Sequence, residues 1–190
     1  MKNSKQDRME KRIAEGLQKR REYLGFTVQA LSDLSGVSRA MISKIERNEA
    51  SPTAALLGRL CNALGITLSS LIANAETESH SPVARSDEQP TWKDPDTGLQ
   101  RTMVSPLNTA SRVEIVRIEL PAGAEVKYEA QRHAMFEQHI MVLQGKLSLT
   151  IGSELLELLA DDCVYMKLDA PVQFANRGRG ACRYLVIINR

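Results

Sequence analysis

The residues best equipped for chemistry lie close together, in the segment Thr27-Val28-Gln29-Ala30-Leu31-Ser32-Asp33-Leu34-Ser35-Gly36-Val37-Ser38-Arg39-Ala40-Met41-Ile42-Ser43-Lys44-Ile45-Glu46-Arg47. On a helix begun at Ser38, the positions Arg39, Ala40, Ser43 and Lys44 share the outward side, while Met41, Ile42 and Ile45 point toward a core. A guanidinium such as that of Arg39 can make a bidentate contact to guanine, and a methyl such as that of Ala40 can touch that of thymine. Each good bidentate pair is worth about 1–3 kcal/mol of discrimination between bases. Thr27, Gln29 and Ser38 stand at helix starts, where hydroxyls, amides and backbone N–H groups can hold phosphates. Together these residue types suit a short helix lying in the major groove of duplex DNA.

Such a face works only if other elements hold its helix. Apolar residues follow a helical period through about residue 74: Ile13, Leu17 and Leu24; Leu31 and Leu34; Ile42 and Ile45; Leu56, Leu57, Leu60 and Leu64; and Leu68, Leu71 and Ile72. Helix-end residues separate these stripes. Gly25, Gly36 and Gly65 can close turns, and Thr27, Ser38, Thr53 and Thr67 can each cap the next helix. Five short helices are expected, with small Ala30 where two of them approach closely. Helices 2 and 3 around Gly36 have the layout of a helix-turn-helix. Cys61, on the apolar side of helix 4, reads as a small core residue.

With Ile45-Glu46-Arg47-Asn48-Glu49-Ala50-Ser51-Pro52-Thr53 and Leu64-Gly65-Ile66-Thr67, this segment resembles the XRE/Cro–phage-repressor family of DNA-binding domains, over roughly residues 12–73. The resemblance implies that Arg21 and Glu46 form an internal salt bridge bracing helix 1 against helix 3, so that neither reads DNA. One departure is visible: the family often has Gln directly after the Thr that starts helix 2, and here Val28 takes that place, with Gln29 beside it.

From residue 74 to about 98 periodicity fails and Ser, Glu, Asp, Pro and Thr dominate, which reads as a linker; its lone Trp92 is expected to dock on the second domain. Beyond the linker the period changes to two, in Val113-Glu114-Ile115-Val116-Arg117-Ile118-Glu119-Leu120 and in Lys146-Leu147-Ser148-Leu149-Thr150-Ile151. Further strands are expected over 99–107, 139–144, 154–159, 163–168, 172–175 and 183–189, making an all-β sandwich or barrel. Pro121-Ala122-Gly123-Ala124, Val142-Leu143-Gln144-Gly145-Lys146-Leu147 and Asp162-Cys163-Val164-Tyr165, with Pro171 and Asn176, make the region over roughly 99–189 resemble a single-domain cupin, a jelly-roll or double-stranded β-helix barrel.

Metal-binding cupins place two His in an HxH, then a Glu and a third His. Imidazole and carboxylate ligands converging from neighbouring strands suit a transition metal. Counted back from Gly145, the Glu place is Gln138 and the HxH falls on Gln131-Arg132-His133; counted back from Asn176, the third His place is Val172. Of these ligands only His133 remains, so no metal and no cofactor is expected. Glu137 and His139 lie on the opposite side of the strand from Gln138. The expected pocket for a small polar effector comprises Gln131, His133, Gln138 and Val172, with Tyr128, Glu129 and Arg132 at its rim. The alternative is that these residues satisfy one another inside a dimerisation domain.

The reading is therefore a two-domain chain: an all-α five-helix DNA-binding domain at 8–74, a linker at 75–98 and a cupin sensor or dimerisation domain at 99–190. Charge agrees with the division. Residues 1–75 carry 12 Lys+Arg against 7 Asp+Glu, a balance of +5, and the remaining residues carry 13 against 16, a balance of −3, within an overall +2. No apolar stretch is long enough for a membrane span, the Met1–Asp7 start has no apolar core for a secretory signal, and three cysteines without paired spacing suit a reducing cytoplasm. A cytoplasmic transcriptional regulator is expected, more often a repressor by resemblance. It would bind a palindromic operator in double-stranded DNA as a homodimer and respond to a small-molecule effector, with no membrane partner. A cupin metalloenzyme tethered to a DNA-binding domain, or an antitoxin-like module whose cupin only dimerises, are the other classes.

Overall fold

The computed structural model describes residues 4–68, 71, 81–107, 109–130 and 137–189. The chain divides into two compact units, Met1–Ser79 and His80–Arg190.

The first unit contains α1 (Ser4–Tyr23), α2 (Val28–Ser35), α3 (Arg39–Glu46) and α4 (Ala54–Ala63). The starts of α2, α3 and α4 are fixed by side-chain caps: Ala30 N donates to Thr27 Oγ1 at 3.0 Å, Met41 N to Ser38 Oγ at 3.3 Å and Leu56 N to Thr53 Oγ1 at 3.3 Å. Between α2 and α3 the chain reverses at Gly36, whose φ of 65° lies in the left-handed region that suits glycine. Ile13, Leu17, Leu31, Ile42, Ile45, Leu57, Leu60, Leu64 and Leu71 form the core. The expected fifth helix lies mostly outside the described residues; Leu68 and Leu71, which are described, are helical.

Two apolar positions differ from expectation. Leu34 is 60% exposed, because Leu31 and Ser35 occupy the buried side of α2. A serine can hold that place because its hydroxyl donates to Leu31 O at 2.6 Å and accepts from Val37 N at 3.2 Å. Met41, expected to point inward, is 36% exposed and stands at the margin of the buried arc that Ile42 and Ile45 define.

Among the described residues of the second unit, ten strands form two antiparallel sheets. They are β1 (Thr91–Lys93), β2 (Gln100–Met103), β3 (Val113–Leu120), β4 (Glu125–Tyr128), β5 (Glu137–Gln144), β6 (Lys146–Ile151), β7 (Glu154–Leu159), β8 (Cys163–Met166), β9 (Val172–Ala175) and β10 (Cys182–Asn189). One sheet runs β1-β2-β3-β10-β5-β8 and the other β4-β9-β6-β7. Alternation sends Val116, Ile118 and Leu120 of β3, Ile140 and Val142 of β5, and Tyr184, Val186 and Ile188 of β10 to the buried side. Gly145 turns β5 into β6 at a φ of 85°, where a Cβ would stand 3.2 Å from Cys182 Cα.

The β unit begins earlier than the expected boundary at residue 99. Strand β1 falls inside the stretch read as linker, and Trp92 is buried there, paired across from Arg101. Three residues are too few to show a period, and the flanking Pro90, Pro95 and Gly98 mask the strand. Strand β4 is likewise absent from the expected set, and for the same reason: Glu125-Val126-Lys127-Tyr128 is a single alternation and a half.

Candidate functional site

On the helical unit the outward side of α3 carries Arg39, Ala40 and Lys44 exposed and Ser43 half-buried, above the buried Ile42 and Ile45. Ser38, its cap, is exposed, and so are Thr27 and Gln29 at the start of α2. The Gln29 amide donates to Asp33 Oδ1 at 2.7 Å, one turn along the same helix. Thr27 and Gln29 thus stand at the start of α2, and Ser38, Arg39, Ala40, Ser43 and Lys44 at the start and along the outward side of α3.

A largely buried ion pair joins α3 to α1. Arg21 Nε donates to Glu46 Oε1 at 2.7 Å and Nη2 to Glu46 Oε2 at 2.8 Å, while Nη1 donates to Phe26 O at 2.9 Å. The hydrogen bond to Glu46 raises the Arg21 pKa above its ordinary value, against the opposing effect of burial. A bidentate guanidinium–carboxylate pair fixes orientation as well as distance, so α3 is tied to α1 in both. Past the end of α3, Arg47 makes a second bidentate pair with Glu49, at 2.8 Å and 2.8 Å, in solvent.

Inside the β unit the expected pocket residues divide. Gln138 and Val172 are buried on the inner side of the barrel, and Tyr128 is half-buried with its ring edge-on to Phe174 at 6.0 Å. Glu129 is exposed just beyond the end of β4. Gln131, Arg132 and His133 lie outside the described residues. Glu137 and His139 are exposed, on the outer side of β5; the His139 ring packs against Tyr165 at 5.3 Å. The donors at the described ligand places do not fit the transition metal that the cupin resemblance implies. An amide at Gln138 is a poor ligand, and Val172 offers no donor atom.

Two inner polar groups escape the sequence reading. Glu114 is buried in register with Val116 and Ile118, and Arg101 is paired with Trp92 on one side and Ile118 on the other. The signal for Glu114 is present, since the alternation of β3 that sends Val116 inward must send Glu114 inward too. Phe174 stacks on Tyr184 at 5.7 Å with ring planes 2° apart, tying the two sheets together through the barrel. Burial pushes the Tyr128 and Tyr184 hydroxyls above the ordinary phenol value.

Residues 17–71 match the helix-turn-helix family and residues 116–188 the cupin domain family. In this order the two domains define a class: a DNA-binding transcriptional regulator with an N-terminal helix-turn-helix and a C-terminal cupin. Among individual proteins, the chain is 25% identical over 173 residues to the HTH-type transcriptional regulator SutR of Escherichia coli K12, spanning 91% of this chain and 92% of that one. It is 24% identical over 169 residues to the HTH-type transcriptional regulator PuuR of the same organism, spanning 87% and 88%. A crystal structure of an HTH_3 family transcriptional regulator from Vibrio cholerae superposes with a TM-score of 0.78 at 25% identity, over 97% of this chain and 98% of that one.

Proposed function

We propose that this regulator binds a palindromic operator as a homodimer and represses from it, and that its cupin domain binds a small-molecule effector rather than catalysing a reaction. The single observation that carries the DNA-binding part is the exposed row Arg39, Ala40 and Lys44 on a helix whose cap, turn and ion pair leave it one orientation. Arg39 reads a guanine, Ala40 lies against a thymine methyl, and Ser43 and Lys44 add base or phosphate contacts. Thr27, Gln29 and Ser38 hold the phosphates beside them. One such helix reads only a few base pairs, so useful specificity needs two half-sites and two copies of the chain. The excess of +5 in residues 1–75 gives each copy a modest, salt-sensitive attraction to the backbone, another reason for two.

The amide and alkyl side chains at the former ligand places support a binding role for the barrel over a metalloenzyme role. Its site of action is the cytoplasm, with the DNA; among the described residues no helix is long and apolar enough to cross a membrane. The test is operator selection from a random DNA library with the full chain and with Arg39→Ala. The variant is expected to lose about 1–3 kcal/mol at one base pair per half-site while its circular dichroism is unchanged. An unaltered sequence preference would remove α3 from the recognition role.

A further inference from the structure

We propose that the outward face of the β1-β2-β3-β10-β5-β8 sheet, centred on β10, is the surface through which two copies of this chain pair. This rests on the homodimer reading above and gives that dimer its contact.

An antiparallel sheet with one face on a core turns polar side chains to water on the other. The β4-β9-β6-β7 sheet follows that rule. Its outward side carries Lys127 and Glu125, 2.9 Å apart, and Lys146 and Glu157, 2.7 Å apart, with Ser148 Oγ donating to Glu157 Oε1 at 2.7 Å. Its exposed leucines, Leu155 and Leu159, stand on the edge strand β7 with Glu157 between them. The larger sheet breaks the rule at its centre. Register puts Ile115, Ile187, His139 and Tyr165 in one row across β3, β10, β5 and β8, and Arg117, Leu185, Met141 and Cys163 in the next. Their neighbours along the strands, Val116, Ile140, Val142 and Val186, are buried in the barrel, so both rows face outward. Four apolar side chains, Ile115, Ile187, Leu185 and Met141, thus stand half-buried together in the middle of this face.

The ends of the strands are polar. Glu119 and Arg183 lie 2.8 Å apart at one end, and Glu137 lies 3.9 Å from Lys167 at the other. An apolar centre inside a polar rim is the layout of a protein–protein contact. Charge selects the partner. Over β3, β10 and β5 the outward charges are Arg117 and Arg183 against Glu119 and Glu137, a balance of zero with His neutral. In a two-fold dimer the same patch meets itself, so a net charge of either sign would repel its own copy. A balance of zero also offers a polyanion no attraction. The size suits a second copy as well. Strands about 4.8 Å apart and about 3.3 Å per residue give β3, β10, β5 and β8 a face about 19 Å by 26 Å, roughly 500 Å² in plan. The relief of the side chains carries its accessible area above that, toward the roughly 800 Å² per partner of a standard interface. The edge strand β8 lies at the margin, where Cys163 stays open to solvent.

The test is sedimentation equilibrium of the full-length protein without DNA, over a wide range of concentration. The parent is compared with Leu185→Lys and Ile187→Lys on the central strand, and with Leu155→Lys on the outward side of the other sheet. The parent is expected to be a dimer at micromolar concentration. In Leu185→Lys and Ile187→Lys the dimer dissociation constant is expected to rise about a hundredfold or more, because each lysine enters the contact from both copies. Leu155→Lys is expected to stay within about threefold of the parent. Unchanged emission of Trp92, the single tryptophan, shows that the β unit of each variant is folded. Where a lysine variant does not fold, Leu185→Gln and Ile187→Gln take its place, with a rise of about tenfold or more expected. A parent that stays monomeric overturns the proposal together with the homodimer reading and leaves the face to another occupant. A dimer as tight as the parent's in the folded β10 variants overturns this face alone and leaves the homodimer standing. A dimer lost only in Leu155→Lys overturns it in favour of the β4-β9-β6-β7 face.

Discussion

Removing either half of the Arg21–Glu46 pair should loosen the helical unit by an amount that depends on which half is removed. Their side chains are 11% and 8% exposed, and three hydrogen bonds converge on the guanidinium. Breaking a buried pair by deleting one partner costs about 3–5 kcal/mol, most of it from the charge left behind. In Glu46→Ala the arginine keeps Phe26 O, and the Glu22 carboxylate remains 3.6 Å from Nη2, so the cost should sit near 3 kcal/mol. In Arg21→Ala the Glu46 carboxylate stays inside with no counter-charge, and Phe26 O loses its donor; the cost should approach 5 kcal/mol. A unit of this size has a total stability on the order of 5 kcal/mol, so Arg21→Ala should be largely unfolded there. At about 4–8 °C per kcal/mol, Glu46→Ala should lower its melting temperature by about 12–24 °C. Arg21→Met with Glu46→Leu should come within about 1 kcal/mol of the parent, because an apolar pair leaves no buried charge. The assay is thermal unfolding of the full chain. Ellipticity at about 222 nm follows the helices, and the emission of Trp92, which lies in β1, follows the β unit and should not move. A shift below about 4 °C for Glu46→Ala, an Arg21→Ala milder than it, or a double variant worse than either single one would refute the reasoning.

Gly145→Ala should destabilise the β unit by about 1–3 kcal/mol in urea unfolding followed by Trp92, since φ is 85° and the new Cβ would meet Cys182 Cα at 3.2 Å; an unchanged midpoint would show that the turn relaxes freely. Native protein treated with a thiol reagent near pH 8 should modify Cys163 quickly, with Cys61 and Cys182 reacting only in denaturant, because Cys163 is exposed and the other two are buried. Burial pushes the Cys182 thiol up to about 11. The unfolded chain therefore loses that proton first, and the stability of the β unit should decline as pH rises from about 9 toward 11, a slope that Cys182→Ala should reduce, the raised Tyr128 and Tyr184 hydroxyls contributing the remainder at the upper end.

How much is legible in the sequence depends on how locally each feature is specified. The helix starts can be read because a cap is a local device: Thr27, Ser38 and Thr53 each bind a backbone N–H three residues on. The ion pair of Arg21 and Glu46 comes from family resemblance, since nothing local joins residues so far apart in sequence. Leu34 is misplaced when hydrophobicity is counted and hydrogen bonding is not; Ser35 is buried by satisfying its hydroxyl on Leu31 O. The inner groups of the barrel are legible only in part. Gln138 and Val172 are found by counting from Gly145 and Asn176, whereas Arg101 requires the pairing of β1 with β2 and of β2 with β3. A strand as short as Thr91–Lys93 has no period to betray it, and its tryptophan shows its environment only when its neighbours are known.

A metal-binding cupin places groups on its inner wall whose protonation competes with the metal. Here the described inner groups at and near those places are an amide, an aliphatic side chain, a guanidinium and two phenols whose proton loss burial has pushed upward. Occupancy of the proposed effector pocket follows ligand concentration relative to affinity. For that occupancy to matter at DNA, the ligand must bind one form of the proposed homodimer better than the other. A tenfold preference per site contributes about 1.4 kcal/mol, and two sites about 2.8 kcal/mol, roughly a hundredfold in operator affinity. That equals the loss of about one or two bidentate base contacts, the kind assigned to Arg39 in each copy. A modest difference in ligand affinity is therefore enough to do at the operator what a recognition-helix substitution does, without any change to α3 itself.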